Sequence, residues 1–279
     1  MRFNVLGITA LLCTLLLSCQ NGIDSLLGKT YGIDERAEFC DVEPAASIPQ
    51  KYAVVVISDM HLDKGSRDME DFLSYIAAYP FAEDEKAAFC IVLGDIADHG
   101  YDSEYATYLA FRSRLEALGM QVFSTAGNHD TYASGDYGRK YMDAIAFSTF
   151  FRIKIRGISF YVIDTADGTL GYAQLHKLEE ELADDGNRKI TFSHYPPYSE
   201  SLTYSMLNDT ESAKLLSLYA KHNVVFAFSG HTHVHEEKNY SSFRAVTVGS
   251  ILNDIAPHNF AILFIDTKNN SFRCESIDF

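Results

Sequence analysis

The stretch that decides the fold is Ile91–Asp98, with the sequence IVLGDIAD, in which an apolar run ends in a glycine and then a carboxylate. A continuous apolar run before such a break predicts a strand that is buried on both faces. Taken alone, Gly94-Asp95 is equally compatible with an ordinary turn at the end of a strand. We interpret Asp95 as a carboxylate that bridges two metal ions, because four other loops of the chain carry the same kind of residue.

Four more predicted strands are followed directly by metal-ligand or acid/base residue types. The strands, each with the residue that follows, are Tyr52–Ile57 with Asp59, Gln121–Thr125 with Asn128, Lys189–Ser193 with His194, and Asn223–Ser229 with His231. Sites in open α/β sheets form beyond the carboxyl ends of the strands, so we expect these loops to converge. Five of the ten histidines of the chain lie in these loops, namely His61, His129, His194, His231 and His233.

Helical periodicity separates most of the strands in the first part of the chain, which predicts a parallel sheet with helical crossovers. The predicted helices are Arg67–Tyr79, Tyr101–Leu118, Leu175–Leu182 and Glu211–Lys221. Further predicted strands are Ala87–Leu93, a hairpin of Phe150–Ile155 with Ile158–Ile163, and at least three after Glu236, including Arg244–Val248 and Phe260–Ile265. The hairpin brings antiparallel pairing into the sheets. The order predicts a mixed α/β fold of two packed sheets flanked by helices.

The chemistry of the five loops follows from their residue types. Carboxylate and imidazole ligands without thiolate suit divalent or trivalent first-row metals such as Mn, Fe or Zn. Two ions about 3.5–4 Å apart clamp the attacking and leaving oxygens of a displacement and activate a water near neutral pH. Such a pair needs one ligand that reaches both ions, and Asp95 is central in the order of the loops.

These loops together resemble the calcineurin-like metallophosphoesterases. The motifs that carry the resemblance, in family order across residues 52–235, are Asp59-Met60-His61, Gly94-Asp95-Ile96-Ala97-Asp98, Gly127-Asn128-His129-Asp130, Ser193-His194 and Gly230-His231-Thr232-His233. The resemblance implies these metal ligands: Asp59, His61 and His233 for one ion, Asn128, His194 and His231 for the other, and Asp95 between them. It implies that His129 acts as general acid or oxyanion stabiliser and that Asp130 orients it. The implied fold is a four-layer α/β/β/α sandwich.

The resemblance implies hydrolysis of a phosphodiester or a phosphomonoester, and departures from subfamily patterns argue against two of the subfamilies. Purple acid phosphatases carry a tyrosine ligand where this chain has Asp98 and lack a histidine at the position of His61. Phosphoprotein phosphatases carry an arginine where this chain has His99. What remains resembles the bacterial group that includes cyclic-nucleotide phosphodiesterases. Arg139 and Tyr198 are candidate substrate contacts, and the alternative is that they are ordinary rim residues.

The N-terminus predicts export. Arg2 precedes an apolar run at Val5–Leu17, and Leu16-Leu17-Ser18-Cys19 resembles the lipobox of bacterial lipoproteins. We therefore predict a signal peptide at residues 1–18, a lipidated Cys19, a tether at residues 19–50 and a metallophosphoesterase domain at residues 51–279. A lipid anchor of this kind places the protein in the cell envelope, facing outside the cytoplasm. The alternative is a buried N-terminal helix.

The net charge and the cysteine content limit the ligands and the disulfide bonds that can be expected. The net charge of −15 and the lack of a basic cluster argue against a general nucleic-acid binder and favour a small phosphorylated substrate whose phosphate is bound by metal ions. After removal of the signal and lipidation, Cys40, Cys90 and Cys274 remain. Cys90 is expected in the core, and pairing of the other two is left open. The sequence does not define the oligomeric state.

Two other functions compete with phosphoester hydrolysis. One is a catalytically silent surface lipoprotein of the same fold that binds a ligand or partner, although none of the seven implied ligands is missing. The other is a metallohydrolase of amides or lactones, which the Gly-Asn-His-Asp loop disfavours.

Overall fold

The computed structural model describes residues 32–45, 47–63, 66–131, 138–200, 204–252 and 254–279. The predicted signal peptide, Cys19 and the first part of the predicted tether lie outside these ranges. Within them, no helix combines the length and the apolar character that crossing a bilayer requires.

The described residues form twelve strands and seven helices. The strands are β1 (Cys40–Val42), β2 (Lys51–Ile57), β3 (Ala87–Val92), β4 (Gln121–Ser124), β5 (Phe151–Ile155), β6 (Ile158–Val162), β7 (Arg188–Phe192), β8 (Val224–Ser229), β9 (Glu236–Asn239), β10 (Arg244–Thr247), β11 (Asn259–Asp266) and β12 (Ser271–Asp278). The helices are α1 (Ile33–Arg36), α2 (Ser66–Ala78), α3 (Asp102–Ala117), α4 (Asn128–Thr131), α5 (Arg139–Ala144), α6 (Tyr172–Asp184) and α7 (Asp209–Lys221).

Two mixed sheets organise the chain. The larger has the order β1-β5-β6-β7-β8-β10-β9 and the smaller the order β12-β11-β2-β3-β4. Strands β2, β3 and β4 run parallel, as do β6, β7 and β8, whereas β5–β6 and β2–β11 are antiparallel. The predicted parallel core and the antiparallel hairpin are both confirmed.

Alternate side chains of the strands enter different cores, because successive residues of a strand point to opposite faces. In β2, Val54 packs between the two sheets, where it joins Phe160 and Phe192 of the larger sheet. Its neighbour Val55 faces the other way, into a core with Phe72 of α2. A third core lies between the larger sheet and helices α6 and α7. The result is the four-layer α/β/β/α sandwich that the sequence predicts.

Element boundaries follow the predictions closely for strands and less closely for one helix. Each strand predicted by its bounds begins and ends within one residue of the observed position. Helix α6 begins at Tyr172, three residues before the predicted Leu175. Tyr172 and Ala173 of its first turn are exposed, and the buried Gln174 is polar, so the turn lacks the apolar spacing that predicts a helix.

The described part of the predicted tether requires correction, because residues 32–42 are built into the domain. Strand β1 pairs in parallel with β5 at the edge of the larger sheet. Arg36 of α1 is 1% exposed, and its guanidinium donates to Asp164 at 2.7 Å and to Asp167 at 2.7 Å. A single-turn helix and a three-residue edge strand leave no periodic signal, and the ion pair joins residues 128 positions apart.

The described cysteines are free thiols. Cys90 is buried in the core, as predicted. Cys40 lies in β1 at an edge of one sheet, and Cys274 lies in β12 at an edge of the other.

Candidate metal centre

The loops after β2, β3, β4, β7 and β8 meet where the carboxyl ends of the two sheets adjoin. Within the smaller sheet, the Asp59 amide donates to the Gly94 carbonyl at 3.2 Å. Between the sheets, the His231 amide donates to Asp59 Oδ2 at 2.9 Å, and His194 Nδ1 donates to the Leu93 carbonyl at 2.8 Å. These hydrogen bonds join four of the loops, and the loop after β4 is joined to them by the His129 amide, which donates to Asp95 Oδ1 at 2.8 Å.

The loop backbones are strained at the residues that point into the centre. Five of the eight described non-glycine residues with positive φ belong to the implied ligand set. They are Asp59 (54°), His61 (39°), Asp95 (49°), His231 (71°) and His233 (58°). Such conformations cost about 1–3 kcal/mol each and cluster at functional sites. Gly94, at φ 92°, leaves no room for a side chain, because a Cβ there would lie 2.6 Å from the Gly127 nitrogen.

The first cluster consists of Asp59, His61 and His233, whose donor atoms lie within 4.8 Å of one another. His61 Nε2 and His233 Nε2 are 3.2 Å apart, and Asp59 Oδ1 is 3.4 Å from His233 Nε2. The Asp59 oxygen is buried and accepts no hydrogen bond from a described residue. Two facing imidazole nitrogens beside an orphaned carboxylate oxygen fit a cation, which would satisfy all three.

Carboxylates hold the other nitrogen of both imidazoles. His61 Nδ1 is 3.1 Å from Asp98 Oδ1, and His233 Nδ1 is 2.7 Å from Asp254 Oδ2. A proton on each Nδ1 leaves the lone pair of each Nε2 directed into the cluster. Neither carboxylate is predicted from the sequence to support a metal ligand. For Asp98 the available signal was its place in the Gly-Asp motif, whereas Asp254 follows no motif at all.

The second cluster consists of Asp95, His194 and His231, with Asn128 beside them. His194 Nε2 lies 2.9 Å from Asn128 Oδ1 and 3.2 Å from His231 Nδ1. The ring of Tyr195 packs on the His231 imidazole with 3.8 Å between centroids. Side-chain oxygens and imidazole nitrogens therefore converge here without a thiolate.

Asp95 joins the two clusters and is 2% exposed. Its Oδ2 lies 3.6 Å from His61 Nε2 and 3.4 Å from His194 Nε2. Its Oδ1 accepts the His129 backbone N–H at 2.8 Å. One oxygen of this carboxylate thus faces both groups of nitrogens while the other fixes the loop.

The charges of the centre shift the pKa values of its histidines in opposite directions. Burial opposes protonation of His194, but the Asp95 charge outweighs it and raises the pKa to about 9. Burial likewise acts against His233, but the negative charges of Asp59 and Asp254 raise the pKa to about 9. For His231, burial and the neighbouring His194 lower the pKa to about 4. Burial acts to raise the pKa of Asp59, yet its charge interactions with His233, His194 and His61 lower it overall.

His129 lies at the edge of the centre, edge-on to the His61 ring at 4.5 Å between centroids. Its Nδ1 donates to the Asp98 carbonyl at 2.7 Å and lies 3.4 Å from Asp98 Oδ1. The implied orienting role of Asp130 is therefore corrected. Asp130 is fully buried, and its carboxylate accepts the N–H groups of Ile96, Ala97 and Gly127. It clamps the Asp95 loop to the His129 loop, and Asp98 orients the imidazole.

The two candidate substrate contacts lie outside the clusters, Arg139 on a helix and Tyr198 in the loop that follows β7. Arg139 is the first residue of α5 and is exposed. Tyr198 is 41% exposed, and the Lys238 ammonium lies over its ring.

A four-layer sandwich with two adjoining carboxylate–imidazole clusters at its sheet ends defines the class of dinuclear metallohydrolases. Residues 52–235 match the sequence model of the family described as calcineurin-like phosphoesterase, and the chain belongs to this family. It is a metal-dependent phosphoester hydrolase.

Relatives of known description agree with this assignment. A Fibrobacter succinogenes protein described as a probable cyclic nucleotide phosphodiesterase is 27% identical over 186 residues, which are 63% of this chain and 71% of that protein. A dimetal phosphatase from Danio rerio shares the fold with a TM-score of 0.59 at 14% identity, over 78% of this chain and 93% of its own. A purple acid phosphatase from yellow lupin (Lupinus luteus) seeds has a TM-score of 0.63 at 16% identity, over 85% and 56% respectively.

Proposed function

We propose that this protein hydrolyses phosphate mono- or diesters with two metal ions held by the seven implied ligands. Asp59, His61 and His233 hold one ion in this proposal, and Asn128, His194 and His231 hold the other. The observation that carries the proposal is the position of Asp95, whose Oδ2 lies 3.6 Å from a nitrogen of one cluster and 3.4 Å from a nitrogen of the other.

The donor set fits Mn, Fe or Zn, because it combines carboxylate, amide and imidazole groups without sulfur. When bound, such ions neutralise the phosphoryl oxygens and activate a water as nucleophile. Two carboxylates of the chain orient the imidazole rings around the ions. Asp98 holds the His61 and His129 rings, and Asp254 holds the His233 ring.

His129 is the proposed general acid for the leaving group. Its Nδ1 is committed to the Asp98 carbonyl, so proton donation falls to Nε2. Arg139 and Tyr198 stay proposed substrate contacts. A cyclic-nucleotide substrate is supported by the Fibrobacter succinogenes relative, whereas an anchored protein outside the cytoplasm favours other phosphate esters.

The proposed location is the cell envelope, with the protein held by lipid on Cys19 and facing outside the cytoplasm. The apolar run and the lipobox-like sequence support this proposal. Mass spectrometry of the processed protein tests it, because an intact Met1 or an unlipidated Cys19 would refute the anchor.

The experiment that tests the activity uses the purified full chain, loaded separately with Mn, Fe and Zn. Turnover of p-nitrophenyl phosphate and of bis(p-nitrophenyl) phosphate is then compared. Preference for one ester decides between phosphomonoesterase and phosphodiesterase. Absence of turnover of both esters with every metal would instead favour the catalytically silent surface lipoprotein.

A further inference from the structure

A second concave site lies beside the metal centre. It has a volume of about 250 Å³ and lies between helix α7 and the carboxyl ends of β7, β8 and β10. The segment Pro196–Tyr198 forms part of its wall. We name it the tyrosine cavity after Tyr198, Tyr219 and Tyr240, which line it.

The aromatic walls give this cavity a definite chemistry. Tyr219 is fully buried on α7, whereas Tyr198 is 41% exposed at the mouth. The faces of aromatic rings carry partial negative charge and attract cations within about 6 Å of the centroid. Several such faces around one space are the arrangement that recognises organic ammonium groups.

The charged groups of the cavity also favour a positively charged ligand. Glu200, Glu236 and Glu237 line it together with one cation, Lys238. Glu237 is already paired with Arg244. Two carboxylates, Glu200 and Glu236, and one ammonium therefore remain among the charged groups that line the cavity. The excess of negative charge disfavours an anionic ligand.

Lys238 shows that an ammonium fits between the rings. Its Nζ lies 3.4 Å from the centroid of Tyr198 and 5.9 Å from that of Tyr240. The side chain is exposed and belongs to β9, which is the edge strand of the larger sheet. An exposed lysine at a sheet edge has other rotamers available, so a ligand with the same charge can take its place.

We propose that the tyrosine cavity binds a small organic ammonium ion at the position that the Lys238 ammonium takes between Tyr198 and Tyr240. The site adjoins the catalytic loops, because Ser193 and Ser229 line the cavity and directly precede His194 and the Gly230-His231 turn. The ammonium is therefore either the head group of a phosphate-ester substrate or a separate molecule that contacts the same loops.

Calorimetric titration of the full-length protein with choline tests the site, in chelator as well as with metal, so that the result does not depend on catalysis. The matched probe is 3,3-dimethylbutan-1-ol, which has the shape of choline without its charge. We expect saturable choline binding and at least roughly tenfold weaker binding of the neutral alcohol. Equal binding of the two, or no saturable choline binding, would overturn the proposal.

Variants assign the binding to the rings. Tyr198→Leu is expected to weaken choline binding roughly 3- to 30-fold, whereas Tyr198→Phe, which keeps the aromatic face, changes it little. Lys238→Gln removes the competing ammonium and is expected to tighten binding. Tyr172→Leu is the control, because Tyr172 is 83% exposed on α6 and outside the cavity. Unchanged binding in Tyr198→Leu, or weaker binding in Lys238→Gln, would contradict the proposed position.

Kinetics with the metal-loaded protein then distinguishes the two sources of the ammonium. If the ammonium is the head group of the substrate, choline inhibits turnover of p-nitrophenyl phosphorylcholine competitively, and Tyr198→Leu raises KM. If the ammonium is a separate molecule, choline binds without competing with the phosphate-ester substrate. Both outcomes require the binding site, which the titration measures independently of turnover.

Discussion

Replacement of Asp95 by asparagine removes one negative charge from the middle of the centre and keeps the size of the side chain. The amide oxygen can still accept the His129 N–H, which now bonds to Oδ1 at 2.8 Å. Asp95 Oδ2 lies 3.4 and 3.6 Å from the two facing imidazole nitrogens. For a cation at the same separation from the carboxylate as these nitrogens, the attraction lost with one unit charge is about 5 kcal/mol at an effective dielectric constant of about 20.

A loss of that size lowers metal affinity roughly 10³- to 10⁴-fold. We expect the loss at both metal positions, because the same oxygen faces both clusters. The assay is metal content by inductively coupled plasma mass spectrometry after equilibration with chelator-buffered Mn²⁺, with circular dichroism to verify the fold.

Asp98→Asn is the matched control, because it changes a carboxylate of the same motif that reaches the first cluster through the outer Nδ1 of His61. Its other imidazole contacts are with His129 and His99, which are not among the seven implied ligands. Loss of such a supporting carboxylate costs roughly 10- to 100-fold in affinity or activity. If Asp95→Asn retains two ions with an affinity within about tenfold of the unmodified protein, the reasoning that Asp95 bridges both clusters is refuted.

Four further outcomes are expected. His129→Ala keeps both metals and lowers the turnover rate roughly 10²- to 10⁴-fold, as single-turnover kinetics would show; loss of metal instead would make His129 a ligand. Arg36→Met destabilises the protein by about 3–5 kcal/mol in urea unfolding, because a buried carboxylate loses its partner; a change below about 1 kcal/mol would restore the tether interpretation. Asp254→Asn weakens metal binding in the first cluster roughly 10- to 100-fold by calorimetry, and equal weakening of both clusters would argue against it. The metal-free protein loses stability as pH rises through about 9, because the pKa values of His194 and His233 are raised to about 9 in the folded protein. The stabilisation from their protonation is complete below the pKa of an unfolded histidine, about 6.5. A melting temperature in chelator that rises between pH 6.5 and 10 would contradict this expectation.

The sequence alone determined the two-sheet architecture, the bounds of most strands and the five loops at the strand ends. These features are local, because the apolar residues of a buried strand predict the strand by themselves and the loop residue follows directly in sequence. The order of the strands then places the five loops at one edge, so the loops could be grouped before any distance was known. The choice of seven metal ligands within them came from the resemblance to the calcineurin-like family.

The tertiary structure decided which groups support that centre. Asp98 holds His129, and Asp130 clamps the loops instead. Asp254 reaches His233 across 21 residues, and Arg36 reaches Asp164 across 128. Such contacts depend on strained loop backbones and on packing between distant segments, neither of which leaves a periodic signal in the chain. For the same reason the position of the Lys238 ammonium between Tyr198 and Tyr240 in the tyrosine cavity is visible only in the folded protein.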